Sequence, residues 1–108
     1  YLAQDDRLGR AVALKVMRPE IAARPGAAER FLREARSAAR VEHDNVVPVW
    51  QVGEDGGVPF IAMPFLAGES LADRLAREPV SPPQLIAQVA REVAAGLAAA
   101  HDTGLVHR

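Results

Sequence analysis

The stretch "VVPVWQVGEDGGVPFIAMPFL", residues 46–66, sets two apolar runs on either side of Glu54-Asp55-Gly56-Gly57. An Asp-Gly step between such runs is a hairpin signal, because glycine takes positive φ without steric cost. Two strands joined that way run antiparallel, so a fold built on them contains an antiparallel sheet. The start of the chain has the same form. Residues Tyr1–Gln4 read as a strand, the polar "DDRLGR" as a hairpin turn, and Ala11–Met17 as a second strand rich in β-branched and small apolar residues. Between the two pairs, Phe31, Ala35 and Ala38 recur at helical spacing, which predicts one helix over Ala27–Val41. The preceding "RPEIAARPGA" reads as a linker with one irregular helical turn. The following "HDN" reads as a break, since Asp44 and Asn45 favour turns.

Beyond residue 66 the periodicity turns helical. "AGESLADRLARE" predicts a short amphipathic helix with Leu71 and Leu75 four apart. Ser81-Pro82-Pro83 starts a longer one, with Ser81 as N-cap and Pro82 at the first helical position. Its apolar face, Ile86, Val89, Ala90, Val93, Leu97 and Ala100, reads as a long buried stripe, and Thr103-Gly104 ends it. Strands, one helix, strands, then helices is an α+β order: an antiparallel sheet with one packed helix, leading into a helical layer. A chain of 108 residues supports one core or part of a larger one.

The bulk chemistry excludes more than it selects. A net charge of −1 argues against a surface built to neutralise nucleic-acid phosphates or anionic lipid. With no cysteine there are no disulfides and no thiolate metal ligands. His43 and His101 lack a third ligand at metal-binding spacing and are read as corner residues without a catalytic role. Trp50 reads as a strand residue packing on the sheet. The arginines at 30, 33, 36 and 40 read as a solvated helix face. No apolar run reaches bilayer-spanning length and no signal-peptide pattern opens the chain. Tyr1 in place of an initiator Met suggests a piece of a longer protein.

One cation stands out. Of the 13 basic residues Lys15 is the single lysine, and it sits inside the apolar "AVALKVM" run. Alternation puts it on the same face as Ala13 and Met17, a surface at least half apolar, where an ammonium is costly unless paired. Glu34, three residues after Phe31 and four before Ala38, shares the predicted helix's apolar side and is the candidate partner. The alternative is a lysine whose stem covers apolar surface while its head reaches water. Chemistry alone leaves both open. A compact ammonium does suit contact with phosphate oxygens, where a fork-shaped guanidinium would not fit the same space.

Val12-Ala13-Leu14-Lys15 is similar to the V-A-I-K motif of protein kinases. "RFLREARSAARVEHDNVVPVWQVGEDGGVPFIAMPFLAGESL" resembles the first helix, fourth and fifth strands and hinge of bacterial serine/threonine kinases, and "HDTGLVHR" resembles the approach to their catalytic loop. The resemblance covers essentially the whole chain. It implies a kinase small lobe and hinge over residues 1–66 and the start of the large lobe over 67–108. It also implies that Lys15 holds the α- and β-phosphates of ATP, oriented by Glu34. Ala13 would pack on the adenine and Met63 would be the gatekeeper. Pro64, Phe65 and Leu66 would form the hinge, using the Pro64 carbonyl and both backbone groups of Leu66. Pro64 departs from the acidic residue common at its position, but proline lacks only the N–H and keeps the carbonyl that the base would use. His107 would pack with Ala38 and Val49 in a regulatory spine, and Arg108 would meet a phosphorylated activation segment.

The same resemblance implies that the glycine-rich loop precedes Tyr1, and that the catalytic aspartate and D-F-G follow Arg108. The parent would then transfer the γ-phosphoryl of ATP to protein Ser/Thr hydroxyls with Mg²⁺, whose ligands lie past Arg108. The 108 residues alone would be inactive, and without the rest of the large lobe the Ile86–Leu97 stripe would be exposed. The implied partners are ATP and a protein substrate, with no nucleic acid; membrane anchoring of the parent is left open, and the placement is cytoplasmic. Two alternatives share the fold: a pseudokinase acting as a scaffold, and a small-molecule kinase. Retention of Lys15, Glu34, His107 and Arg108 weighs against the first, and Arg108 against the second.

Overall fold

The computed structural model describes residues 1–79 and 82–106. In chain order they form β1 (Leu2–Asp5), β2 (Arg10–Val16), α1 (Pro19–Ala22), α2 (Ala27–Ala38), β3 (Gln51–Asp55), β4 (Val58–Pro64), α3 (Leu71–Arg77) and α4 (Pro83–Asp102). Both expected hairpins are present, closed by different turn chemistry. β3 and β4 join through Gly56 and Gly57 at φ 54° and 80°, the two-residue turn that needs positive φ at both positions. β1 and β2 join through residues 6–9, where one carboxylate oxygen of Asp5 accepts the N–H groups of Arg7 and Leu8, each at 3.2 Å, and Gly9 takes φ 63°. The two hairpins then pair through β2 and β4 into one antiparallel sheet of order β1-β2-β4-β3.

Helix α2 packs on β4 and β3 with Ala27 and Ala35 buried; Val12, Val41, Ile61 and Ala62 are buried as well. The arginines at 30, 33, 36 and 40 are exposed, as expected of the outer helix face. The helix ends at Ala38 rather than at Val41. Its exit tightens there, with the N–H groups of Arg40 and Val41 bonded three residues back to the carbonyls of Ser37 and Ala38. Trp50 lies one residue before β3 instead of inside it. Its N–H still donates to the Ala62 carbonyl at 2.9 Å, and its ring is held by the Arg10 guanidinium, 3.5 Å from the ring centroid.

The start of α4 differs from expectation. Pro82 is the N-cap of α4 and Pro83 the first helical residue. The reason is steric: a residue preceding proline is pushed out of the α region, and Pro82 has ψ 138°. Ser81, expected as the cap, lies outside the described residues. Of the stripe on α4 only Ala100 is buried among the described residues, and the part from Ile86 to Leu97 is largely exposed. Ile86 and Val93 are 57% and 53% exposed, and Leu97 is exposed as well. The face that does pack carries Gly96 and Ala100. A Cβ on Gly96 would stand 2.9 Å from the carbonyl oxygen of Asn45, so only glycine admits this approach without a backbone shift. The Asn45 side-chain amide donates to the Glu92 carbonyl at 3.0 Å, tying the "HDN" turn to the same helix. At its C-terminus α4 closes with Gly104 at φ 80°: the Gly104 N–H bonds the His101 carbonyl and the Leu105 N–H bonds the Ala100 carbonyl, a Schellman arrangement.

Candidate functional site

Strand β2 brings Lys15 to its position by alternation, and β4 supplies the opposite wall. Directly paired residues of an antiparallel ladder share a face. Ala13 is opposite Met63 and Lys15 opposite Ile61, so these four residues lie on one side of the sheet. Pro64 pairs with Val12 and belongs to the other side. Helix α2 then closes over the Lys15 end of this face. Lys15 and Glu34 line one cleft of about 680 Å³ with Phe31, Arg33, Ala38 and Leu105. The volume is within the range of small-ligand sites, about 300–1,000 Å³.

The cleft differs from the expected picture in one respect. Lys15 and Glu34 are both exposed, and among the described residues they form no ion pair. The buried side of β2 is the one that carries Val12, and the inward residues of α2 are Ala27 and Ala35. Glu34 is one step around the helix from Ala35, about 100° away, which sets it at the rim of the packed face. The ammonium and the carboxylate thus line the same cleft without pairing.

The remaining predicted residues fall into two places. Ala13 and Met63 continue the Lys15 face toward the end of β4. Phe65 and Leu66 follow that strand, and both are exposed. Among the described residues the N–H and carbonyl of Leu66 enter no backbone hydrogen bond. Leu66 lines a second hollow, of about 410 Å³, with Asn45, Val89 and Val93. Ala38 lines the Lys15 cleft, whereas Val49 lines a third hollow beside the His43 turn. His43 itself is structural, its Nδ1 accepting the Asn45 N–H at 3.0 Å. His107 and Arg108 lie outside the described residues.

Sequence reasoning missed five contributors. Ile61 becomes visible only through its register with Lys15, and Leu105 only because the Gly104 turn sends the chain back to the cleft. Arg33 was grouped with the outer arginines yet lines the cleft beside Glu34. Asn45 and Gly96 join the turn after α2 to α4, a contact between residues far apart in the chain.

The whole of this arrangement, residues 1–108, matches the family profile of the protein kinase domain. The chain belongs to the protein kinase family. It is 44% identical over 108 residues to the serine/threonine-protein kinase pkn2 of Myxococcus xanthus, covering all of this chain and 13% of that protein. It is 43% identical over 108 residues to the serine/threonine-protein kinase PknL of Mycobacterium tuberculosis, covering 27% of that protein. The PknI kinase domain of M. tuberculosis superposes with a TM-score of 0.87 at 36% identity, over all of this chain and 44% of that one. The kinase chain therefore spans between 13% and 27% of the length of these curated relatives. The structural match carries the fold: the four-stranded antiparallel sheet with its helices is the architecture of a kinase small lobe.

Proposed function

We propose that these residues form the nucleotide-facing part of a serine/threonine protein kinase that transfers the γ-phosphoryl of ATP to protein hydroxyls. The observation that carries the reading is the convergence of Lys15 and Glu34 on one cleft from separate elements, β2 and α2. The residues fit a nucleotide. The cleft holds a compact ammonium with no competing ion pair among the described residues, and Ala13 and Met63 prolong its wall with small and flexible apolar surface. The segment after β4 keeps the Leu66 donor and acceptor out of the backbone network.

In this reading Lys15 binds phosphate oxygens, and Glu34 reaches across the cleft to hold the ammonium in place. Ala13 leaves room for the base, Met63 limits the depth of the pocket, and the Pro64 carbonyl with both backbone groups of Leu66 recognises the adenine edge. ATP supplies the phosphoryl group, and Mg²⁺ neutralises its charge; the kinase fold supports the use of both. Residues 1–66 would constitute the small-lobe part and hinge, and residues 67–108 the beginning of the large lobe. The substrate class is a protein Ser or Thr hydroxyl, and need of ATP puts the domain on the cytoplasmic side. The 108-residue polypeptide by itself would not transfer phosphate, because none of its residues is assigned as the catalytic base or as a metal ligand.

The test is Lys15→Met in the intact protein. Loss of a single positioned cation at developing phosphate charge lowers turnover by about 10²-fold or more, while circular dichroism and melting stay as in the parent. Unchanged turnover would remove Lys15 from the role and the reading with it.

A further inference from the structure

Ser37, Ser70, Ser81 and Thr103 carry the aliphatic hydroxyls of the chain, and their electrostatic surroundings differ. Ser70 caps α3: its Oγ accepts the Asp73 N–H at 3.1 Å and donates to the Asp73 carboxylate at 2.6 Å. Glu69 adjoins it, and the arginine one turn on, Arg74, is paired with Glu78 at 3.5 Å. Thr103 donates to the Ala100 carbonyl at 2.8 Å, with Asp102 beside it and no arginine within a helical turn of sequence. Ser81 lies outside the described residues. Ser37 is the opposite case. Half-buried, it is the second-last residue of α2, and its Oγ donates to the Arg33 carbonyl at 3.1 Å. Arg33 is one turn back on the same side of the helix. Arg40 follows at i+3, where the helix has tightened. Its N–H bonds the Ser37 carbonyl at 3.2 Å, the spacing at which side chains eclipse. Both guanidinium groups are exposed, and among the described residues neither is in an ion pair. The carboxylate on that side of α2 is Glu34, at i−3, which leaves the cations in excess.

We infer that Ser37 is a phosphorylation site, modified by a second copy of the intact kinase and held by Arg33 and Arg40. The transfer rests on the proposed function, whereas the reception of the phosphate rests on α2 alone. The Ser37 oxygen attacks the γ-phosphorus of ATP and forms the O–P bond. The bond from that phosphorus to the β–γ bridging oxygen breaks, ADP departs with the electron pair, and the hydroxyl proton passes to a base on the transferring copy. Access is gained at the end of the helix, since terminal turns fray at little cost. The phosphoester carries about −1.5 to −2 charge, and its Oγ no longer donates to the Arg33 carbonyl. At a helix C-terminus such charge is unfavourable on its own. Two guanidinium groups reverse that balance through charge-assisted hydrogen bonds. Arg33 also lines the Lys15 cleft, so drawing it to the phosphate takes one cation from the cleft wall.

The intact protein is incubated with ATP, Mg²⁺ and casein as a general acceptor, and phosphopeptides are read by mass spectrometry. The expected result is phosphate at Ser37, ahead of Ser70 and Thr103, and its disappearance in Ser37→Ala. Casein modified while Ser37 is not overturns the inference and leaves the kinase reading standing, as does modification of Ser70 or Thr103 ahead of Ser37. No transfer to any acceptor overturns the reading, and the inference with it. Reception of the phosphate is tested separately, by placing phosphoserine at position 37 of the intact protein during translation and titrating it by phosphorus NMR. Arg33 and Arg40 favour the dianion and Glu34 opposes it. Arg33→Gln with Arg40→Gln therefore tightens binding of the last phosphate proton by about two- to fivefold, the effect of exposed charge contacts. A titration unchanged by the loss of both arginines shows that they do not hold the group, and overturns the inference.

Discussion

The sheet with α2 and the pair α3–α4 are built on similar amounts of apolar sequence and end up with different degrees of closure. In the first, Val12, Ala27, Ala35, Val41, Ile61 and Ala62 are all buried, on the two faces of the sheet and the inner side of α2, and Lys15 and Glu34 stand exposed beside them. In the second, Leu71, Leu75, Ile86, Val93 and Leu97 face outward, and the buried residues of α4 are Gly96 and Ala100. The shape agrees: the radius of gyration is 16.1 Å, against about 13 Å for a compact domain of 100 residues. Amphipathic periodicity therefore establishes that a helix has an apolar side, and tertiary partners decide whether that side is covered. The cleft is placed by the closed region, while the open one is hung from it through Asn45 and Gly96.

The contrast can be broken most forcefully at Ile61. Its side chain is buried in the sheet core and opposite Lys15, so Ile61→Ala costs about 2–5 kcal/mol in urea unfolding. A cost under 1 kcal/mol would mean that the sheet is no better packed than the helical part. Next comes Gly96→Leu, where overpacking against the Asn45 backbone costs about 1–3 kcal/mol; a stabilised variant would show that α4 does not rest on that turn. Asn45→Ala removes the side-chain bond to the Glu92 carbonyl and lowers stability by about 1 kcal/mol, read by the same unfolding curve. The smallest effect is at Ile86. In the 108-residue chain Ile86→Ser changes stability by no more than about 0.5 kcal/mol, because the side chain is already in water. Sedimentation sharpens this point: if the exposed stripe drives association, Ile86→Ser with Val93→Ser shifts the chain toward monomer.

Much of the sheet was legible because its determinants are local. Gly56 and Gly57 specify their turn by φ alone, and alternation along "AVALKVM" is enough to put Lys15 and Ala13 on one face. The first helix was found from the spacing of Phe31, Ala35 and Ala38, and its early end was not, since the tightening at Arg40 and Val41 follows from where Val41 must be buried. The candidate pair Lys15 and Glu34 was legible as chemistry, and the two side chains do share a cleft. Their exposure was not legible, because it depends on how far α2 covers the Lys15 face of the sheet, a fact set by β4 and α2 together. Arg33, Ile61 and Leu105 were hidden for the same reason: each enters the cleft through a pairing or a chain reversal that no window of sequence contains. Pro82 was a different failure. Its own fixed φ favoured the first helical position, but the ring of Pro83 governs the preceding residue more strongly.

The two ends of the last stretch of α4 are pinned to different things. Gly96 is seated on the Asn45 backbone, and Gly104 reverses the chain so that Leu105 reaches the wall of the lysine cleft. The helix between them works as a protractor. Each residue added or removed there would rotate everything downstream by about 100° and move it about 1.5 Å along the axis, swinging Leu105 out of the cleft while leaving the helix itself intact. Length variation is thus forbidden between Gly96 and Gly104, and permitted in the turn at residues 6–9, whose residues are all exposed.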